Sequence, residues 1–321
     1  MLRNMSVRAV RASRAIVLSL VTAMSILPNA CGGSPEPPAS AAATPAPALT
    51  VEEWRAKHDV DYRRDYVSIA GMHDLKPGAN TAGSAPGHDI VLPPSTPATL
   101  GRFVLEGDRV RFEPAPGAIV RVGDRAVTAP LDLRDDRTAD RDELLIGDVR
   151  LVVHASGDSR MLRVRDPHSD LAKSFLGFDW FPVDPEYRVV GRFIRDPSAQ
   201  PMRVPNTFGD IDEYTSEGVV EFTLHGQTLR LRPFTTRPNR FYFVFRDASS
   251  GQETYKAARF LYSDLLPDGT TVLDFNIAYN PPCAFNPYTT CPIPLAENRL
   301  PVKILAGEKK YPVDIALPTR N

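Results

Sequence analysis

The chain has 321 residues, of which 24% are charged, with both signs interspersed and a formal net charge of −1. That balance removes the electrostatic case for binding nucleic acid. Thirty-one prolines and 20 glycines favour short strands and turns over long helices.

Residues 1–31 read as an export signal. Arg3, Arg8, Arg11 and Arg14 form a basic n-region, and Ala15 to Leu27 is an apolar run of 13 residues. Such a run is too short to span a bilayer and suits a signal peptide. It leads into Pro28-Asn29-Ala30-Cys31. A small residue before a cysteine resembles the lipobox of bacterial lipoproteins, although Leu27 sits one place upstream of the usual leucine and Pro28 occupies that position. The expectation is an exported protein of the cell envelope or periplasm, partnered with a membrane through lipid on Cys31. A plain secreted chain cut nearby, or an uncut anchor, is the alternative. Residues 32–49 are rich in Pro, Ala and Ser and read as a semi-stiff tether. No later run approaches membrane-spanning length.

Residues 50–100 are expected to be a short N-terminal helix and an irregular loop. Thr50-Val51-Glu52-Glu53 fits a capping box. Trp54, His58, Tyr62 and Tyr66 then recur every four residues, an aromatic stripe along one helix face. The stripe either packs this helix onto the main domain or forms a groove for a partner. Gly71 to Thr99 is rich in Gly, Pro, Ala, Asp and Asn and reads as loop. Its His73-Asp74 and His88-Asp89 pairs raise a metal site, but such pairs on loops are commonly just solvated. No metal and no cofactor is expected.

Residues 101–166 read as a small β-sandwich. Short apolar strands alternate with Glu106-Gly107-Asp108, Gly123-Asp124 and Gly147-Asp148 turns, a spacing typical of a small all-β domain. The pattern resembles a forkhead-associated-type sandwich in architecture only. Residues 167–321 form the C-terminal β-rich domain. Asp166 to Pro185 is a packed bridge with Phe175, Phe178, Trp180 and Phe181 as core candidates. The expected strands are Arg188 to Ile194, Val219 to Leu224 and Thr228 to Leu231 around His225-Gly226-Gln227, and a half-buried strand through Phe241, Phe243 and Phe245. Tyr255 to Tyr262, Val272 to Ala278, Pro301 to Leu305 and Tyr311 to Val313 follow. Tight turns between strands imply an antiparallel sandwich or barrel. The fold class is therefore mainly β, in two β-rich units.

Beyond Cys31, only Cys283 and Cys291 remain, with seven residues between them. In an oxidising compartment this pair is expected to form a small loop disulfide, with two buried thiols as the alternative. No CxxC and no nearby His supports zinc.

Several blocks carry a family resemblance. They are Trp180-Phe181-Pro182-Val183-Asp184-Pro185-Glu186-Tyr187-Arg188, Pro205-Asn206-Thr207-Phe208-Gly209, Phe245 to Tyr255 with Arg259-Phe260-Leu261-Tyr262, and Asp274 to Glu297 with Asn298-Arg299-Leu300 and Ala306-Gly307-Glu308-Lys309. Together they resemble the DUF1684 family of bacterial and archaeal proteins over roughly Trp54 to Tyr311. Ala258 stands where members usually carry Gly, and the Gly71 to Thr99 loop looks like an insertion. The resemblance implies a single evolved unit and supplies no substrate.

Strand alternation gives a chemical lead. Asp274 and Asn276 would share one face of the strand Val272 to Ala278, and Arg259 would lie on an adjoining strand. Arg246, Asp247, Glu253, Arg259, Asp274 and Asn276 would then cluster at one mouth, with the cysteine loop bringing Tyr279, Asn280 and Glu297 close. Two arginines among acids can grip a carboxylate or phosphate. They can equally form a structural salt-bridge network. No GxSxG, HExxH or Walker loop appears. Three readings stand: a membrane-anchored β-protein binding a small polar or anionic ligand at this site; a hydrolase using Asp274 or Glu297; or a structural envelope protein with no ligand.

Overall fold

In the computed structural model, which describes residues 49–315, the chain enters through a capped helix. The expected signal segment, lipidation of Cys31 and the tether up to residue 48 lie outside the described residues. Helix α1 (Val51–Tyr62) has the predicted capping box: Glu53 N–H donates to the Thr50 hydroxyl, and Thr50 N–H donates to the Glu53 carboxylate. It continues into a π-helical turn, Arg63–Val67. Its stripe is a ladder of rings, with centroid separations of 4.8 Å for Trp54–His58, 4.3 Å for His58–Tyr62 and 4.6 Å for Tyr62–Tyr66. These rings pack on Phe178, Trp180, Tyr279 and Phe285, so the helix is docked onto the main domain.

The N-terminal β unit begins earlier than expected. Its strands are β1 (Ile69–Asp74), β2 (Gly78–Gly83), β3 (Ile90–Val91), β4 (Gly101–Glu106), β5 (Arg109–Pro114), β6 (Arg121–Val122), β7 (Arg125–Ala126), β8 (Leu131–Leu133), β9 (Glu143–Ile146), β10 (Val149–Ser156) and β11 (Ser159–Arg165). They form a six-stranded sheet, β1-β11-β10-β9-β6-β7, and a five-stranded sheet, β3-β2-β4-β5-β8. Phe103, Phe112, Leu144, Leu151 and Leu162 lie in the core that both sheets contribute to. Residues 71–99 are thus not an irregular loop. Strand β2 (Gly-Ala-Asn-Thr-Ala-Gly) has few β-formers, but it pairs with β4 along its length and buries Ala82. Its buried Asn80 donates to the Phe103 carbonyl. Tertiary pairing outweighs the poor local propensity. The Gly-Asp turns fall where the sequence puts them; at Gly147 the chain takes φ 57° between β9 and β10, a conformation glycine accepts without strain.

After α2 (Asp170–Lys173), the C-terminal unit contains β12 (Arg188–Arg195), β13 (Met202–Pro205), β14 (Ile211–Tyr214), β15 (Gly218–Leu224), β16 (Gln227–Leu231), β17 (Phe234–Arg237), β18 (Arg240–Phe245), β19 (Arg259–Asp264) and β20 (Thr270–Asp274). The sheets are β16-β15-β12-β20, β17-β18-β19 and the pair β13-β14. They are antiparallel and open; no closed barrel forms among the described residues. Four expected strands differ. The strand placed at Tyr255 begins at Arg259, the one placed at Val272 to Ala278 stops at Asp274, and no strand covers residues 301–305 or 311–313. Strand β18 is buried on both faces rather than half-buried. Phe241, Phe243 and Phe245 enter one core with Phe222, Leu261 and Leu273, while Tyr242 and Val244 enter another with Phe260, Tyr279 and Phe285. Helix α1 and the aromatic bridge supply the rings that close this second face.

Candidate functional site

The predicted polar cluster is real in part, but it is not an open site. Arg259 opens β19 opposite Phe245 and is 0% exposed. Its Nη1 donates to Asp247 Oδ2 at 2.9 Å and to the Ile304 carbonyl at 2.9 Å, and its Nη2 donates to the Ala306 carbonyl. Asp247 is equally enclosed; its Oδ1 accepts from Ser249 N and Ile304 N. Burial lowers the Arg259 pKa, and Asp247 works against that shift. Gly307 completes the enclosure at φ 78°. A Cβ there would fall 2.3 Å from the Ala278 carbonyl oxygen and 3.0 Å from Arg259 Nη2. The pair is a buried structural link between the β18–β19 turn and the segment 304–306.

The asparagines serve the same end. Asn280 donates through its backbone N and Nδ2 to the two Glu308 carboxylate oxygens, at 2.7 and 2.8 Å, and through Nδ2 to the Lys309 carbonyl. Burial pushes the Glu308 carboxyl up to about 8, against the lowering effect of Asn280. Asn276 exchanges hydrogen bonds with the Asp184 backbone, and Asn298 does so with the Arg232 backbone. An asparagine amide satisfies backbone groups that no sheet ladder reaches. Asp274 does not face Arg259. Its side chain accepts from Asn276 N, capping a 3-10 turn that ends the strand, and it pairs with Arg188 at 2.7 Å. Glu297 pairs with Arg232 and Glu253 with Lys303, both at 2.6 Å. Arg246 is joined through its backbone to Asn298 and Leu300. The expected disulfide does not form, and none is found among the described residues: Cys283 and Cys291 are free, buried thiols. Their loop is tied without one, since Asn286 donates to the Tyr66 and Ile69 carbonyls and Tyr255 donates to the Cys283 carbonyl. Burial pushes the Cys291 thiol up, and the neighbouring Cys283 adds to it.

Of the nine predicted site residues, Asp274 and Tyr279 line an open cavity. This is a cleft of about 580 Å³ between α1 and the outer face of β18–β19. Trp54, His58, Tyr62, Tyr66, Tyr262 and Tyr279 supply its rings, and Ile277 and Val272 part of its floor. Arg188–Asp274 and Arg240–Asp264 form ion pairs on its walls. Burial lowers the His58 pKa to about 4, so the imidazole is neutral at pH 7. His58 is 8% exposed, and its Nε2 has no hydrogen-bond partner. The four-residue spacing in α1 located these rings; that they leave a hollow depends on the geometry of the opposing sheet. A second cavity, of about 930 Å³, lies where β10 meets β14 and residues 290–292. It is lined by His154, Asp136 and Thr290, none of them among the candidate residues read from the sequence. A lone polar residue, His154, in the otherwise apolar run 151–155 is the available signal.

A family model described as a protein of unknown function, DUF1684, matches residues 173–309. The likeness to that family is confined to this segment. The DUF1684 segment holds the bridge, β12 to β20 and Glu308, and so contains the whole Arg259–Asp247 and Asn280–Glu308 network. Helix α1 and the N-terminal sandwich lie outside it. Among solved structures, the chain is similar to an uncharacterized protein of Haloarcula marismortui studied by solution NMR. The two are 30% identical over 43% of this chain and 78% of that one, with a TM-score of 0.35. No curated protein matches. The cleft is therefore a joint construction, with the family segment giving the floor and α1 the aromatic wall.

Proposed function

We propose that this chain is an exported, membrane-anchored binding protein whose aromatic cleft takes a small flat molecule with a polar or anionic end. The observation that carries this reading is His58. A buried ring nitrogen without a partner costs free energy, and His58 is one of six aromatic side chains that line the open cleft. A ligand that stacks on those rings and hydrogen-bonds Nε2 removes that cost. Arg188, which is 57% exposed along its side chain, is the cation within reach of an anionic end. The polar network beneath acts as the frame that holds Tyr279 and Ile277 in place.

The test uses 1-anilinonaphthalene-8-sulfonate, a flat aromatic body with one anionic group. Its fluorescence titration should give saturable binding. Ile277→Trp, which fills the cleft, should weaken binding at least tenfold at an unchanged melting temperature. Equal binding by the two proteins rules the cleft out. The anchor reading rests on the basic n-region, the apolar run and Cys31. The intact mass of protein extracted from membranes should carry a diacylglyceryl group on Cys31. A mass matching an unmodified chain, cut or uncut, contradicts it.

A further inference from the structure

We propose that the larger cavity is a second site, an acyl-transfer centre in which Thr290 is the nucleophile, His154 the base and Asp136 the residue that positions the imidazole. The three come from distant parts of the chain. His154 stands on β10, Asp136 on the segment after β8, and Thr290 just before Cys291 in the family segment. His154 Nδ1 lies 2.7 Å from Asp136 Oδ2, and His154 Nε2 lies 3.0 Å from Thr290 Oγ1. Asp136 also accepts from Arg163 Nη1 at 3.0 Å and from Ala155 N at 3.2 Å. Burial works to raise the Asp136 carboxyl, but the His154 hydrogen bond, the nearby charges and the Ala155 N–H outweigh it and hold it at about 2.

That arrangement fixes the tautomer. An ionised carboxylate only accepts hydrogen bonds, so Nδ1 carries the imidazole proton. Burial, and then Arg163, lower the His154 pKa and keep the ring neutral at pH 7. The Nε2 lone pair is left facing the Thr290 hydroxyl, which is the geometry of an activated nucleophile with an oriented base. Arg203 lines the same cavity and has no ion-pair partner among the described residues, so its guanidinium is available to a developing oxyanion. Asp158, Asp212 and Glu213 also line it. They make the cavity acidic and select esters whose acyl and alcohol parts are neutral or cationic.

Thr290 Oγ1 bonds to the ester carbonyl carbon while its proton passes to His154 Nε2 and the carbonyl π pair moves onto oxygen. Collapse of that oxyanion breaks the bond to the alcohol oxygen, which leaves with the proton from Nε2. Water then adds to the Thr290 ester, giving its proton to Nε2, and Thr290 Oγ1 leaves and is reprotonated. The sum is ester plus water giving acid plus alcohol. Because His154 and Asp136 lie outside the family segment, the centre exists only where the N-terminal sandwich and that segment meet.

The test is covalent labelling of the purified full chain with a β-lactone bearing a neutral aliphatic tail, read by peptide mass spectrometry. Ring opening by Thr290 leaves the whole probe on that residue. The wild-type protein and Thr290→Ser should carry the adduct at position 290, and Thr290→Val should not. His154→Gln should slow labelling by about 100-fold at an unchanged melting temperature. Asp136→Asn should abolish the downfield Nδ1 proton resonance of His154 and slow labelling. Absence of an adduct at Thr290 overturns the proposal, as does labelling that His154→Gln leaves unchanged. If His154→Gln fails to fold, the Ser and Val variants decide between a hydroxyl nucleophile and its absence.

Discussion

Arg259→Met is expected to lower the unfolding free energy by about 3–5 kcal/mol, the cost of leaving one member of a buried ion pair without the other. Asp247 stays behind with no access to solvent. The Ile304 and Ala306 carbonyls lose the donors that Nη1 and Nη2 supply. The methionine restores much of the volume but none of the hydrogen bonds, so the loss is electrostatic and polar rather than a cavity effect. Urea denaturation measures it. Adding Asp247→Leu in the same chain should recover part of the loss, because the stranded charge is gone. Recovery will be incomplete, since Asp247 also accepts from Ser249 and Ile304. A loss below about 1 kcal/mol, in the range of exposed pairs, would mean that water reaches Arg259.

Glu308 gives the second large effect, read through pH. Burial raises its carboxyl from an ordinary 4.5 to about 8 in the folded protein. A raised carboxyl pKa means that the folded state holds its proton where the unfolded chain has released it. Stability from this group is therefore fully present below pH 4.5 and lost as pH rises through 8. His58 acts in the opposite direction. Its pKa is lowered from 6.5 to about 4, so stability rises with pH across that interval; the lowered His154 adds to this. Above pH 6.5 the imidazoles titrate chiefly in the unfolded chain, a smaller and opposite effect, and Glu308 dominates among these groups. Between pH 6.5 and 8 the wild-type protein should lose about 2 kcal/mol, from 1.36 kcal/mol per pH unit. Glu308→Gln, which cannot ionise, should be flat over the same window. A wild-type stability that does not fall between pH 6.5 and 8 would show Glu308 already ionised in the fold.

Local signals read the architecture well. The Thr50 capping box, the Gly-Asp hairpins and the alternating Phe241, Phe243 and Phe245 each report a short-range preference, and each appears where the residues put it. The family blocks were legible for the same reason, being contiguous in sequence. The proposed mouth was not legible, because alternation was carried past Asp274. A side-chain cap there turns the backbone into a 3-10 turn and ends the period of two. For Arg259 the sequence leaves a ligand grip and a structural salt bridge open, because only the fold shows that the carbonyls of residues 304 and 306 surround it. Strand β2 was hidden by small residues that form a strand only because β4 lies alongside. The Asp136, His154 and Thr290 constellation spans nearly half of the chain, so no spacing could have announced it.

The account turns on one division of labour: the polar family residues form a sealed frame, and ligands meet the protein at the aromatic cleft above it. Hydrogen–deuterium exchange of the full chain, with and without saturating 1-anilinonaphthalene-8-sulfonate, tests this most directly. Slowed exchange confined to residues 51–66 and 272–279 is the predicted result. Protection that appears instead around residues 247–259 and 304–306, with none in α1, would contradict it.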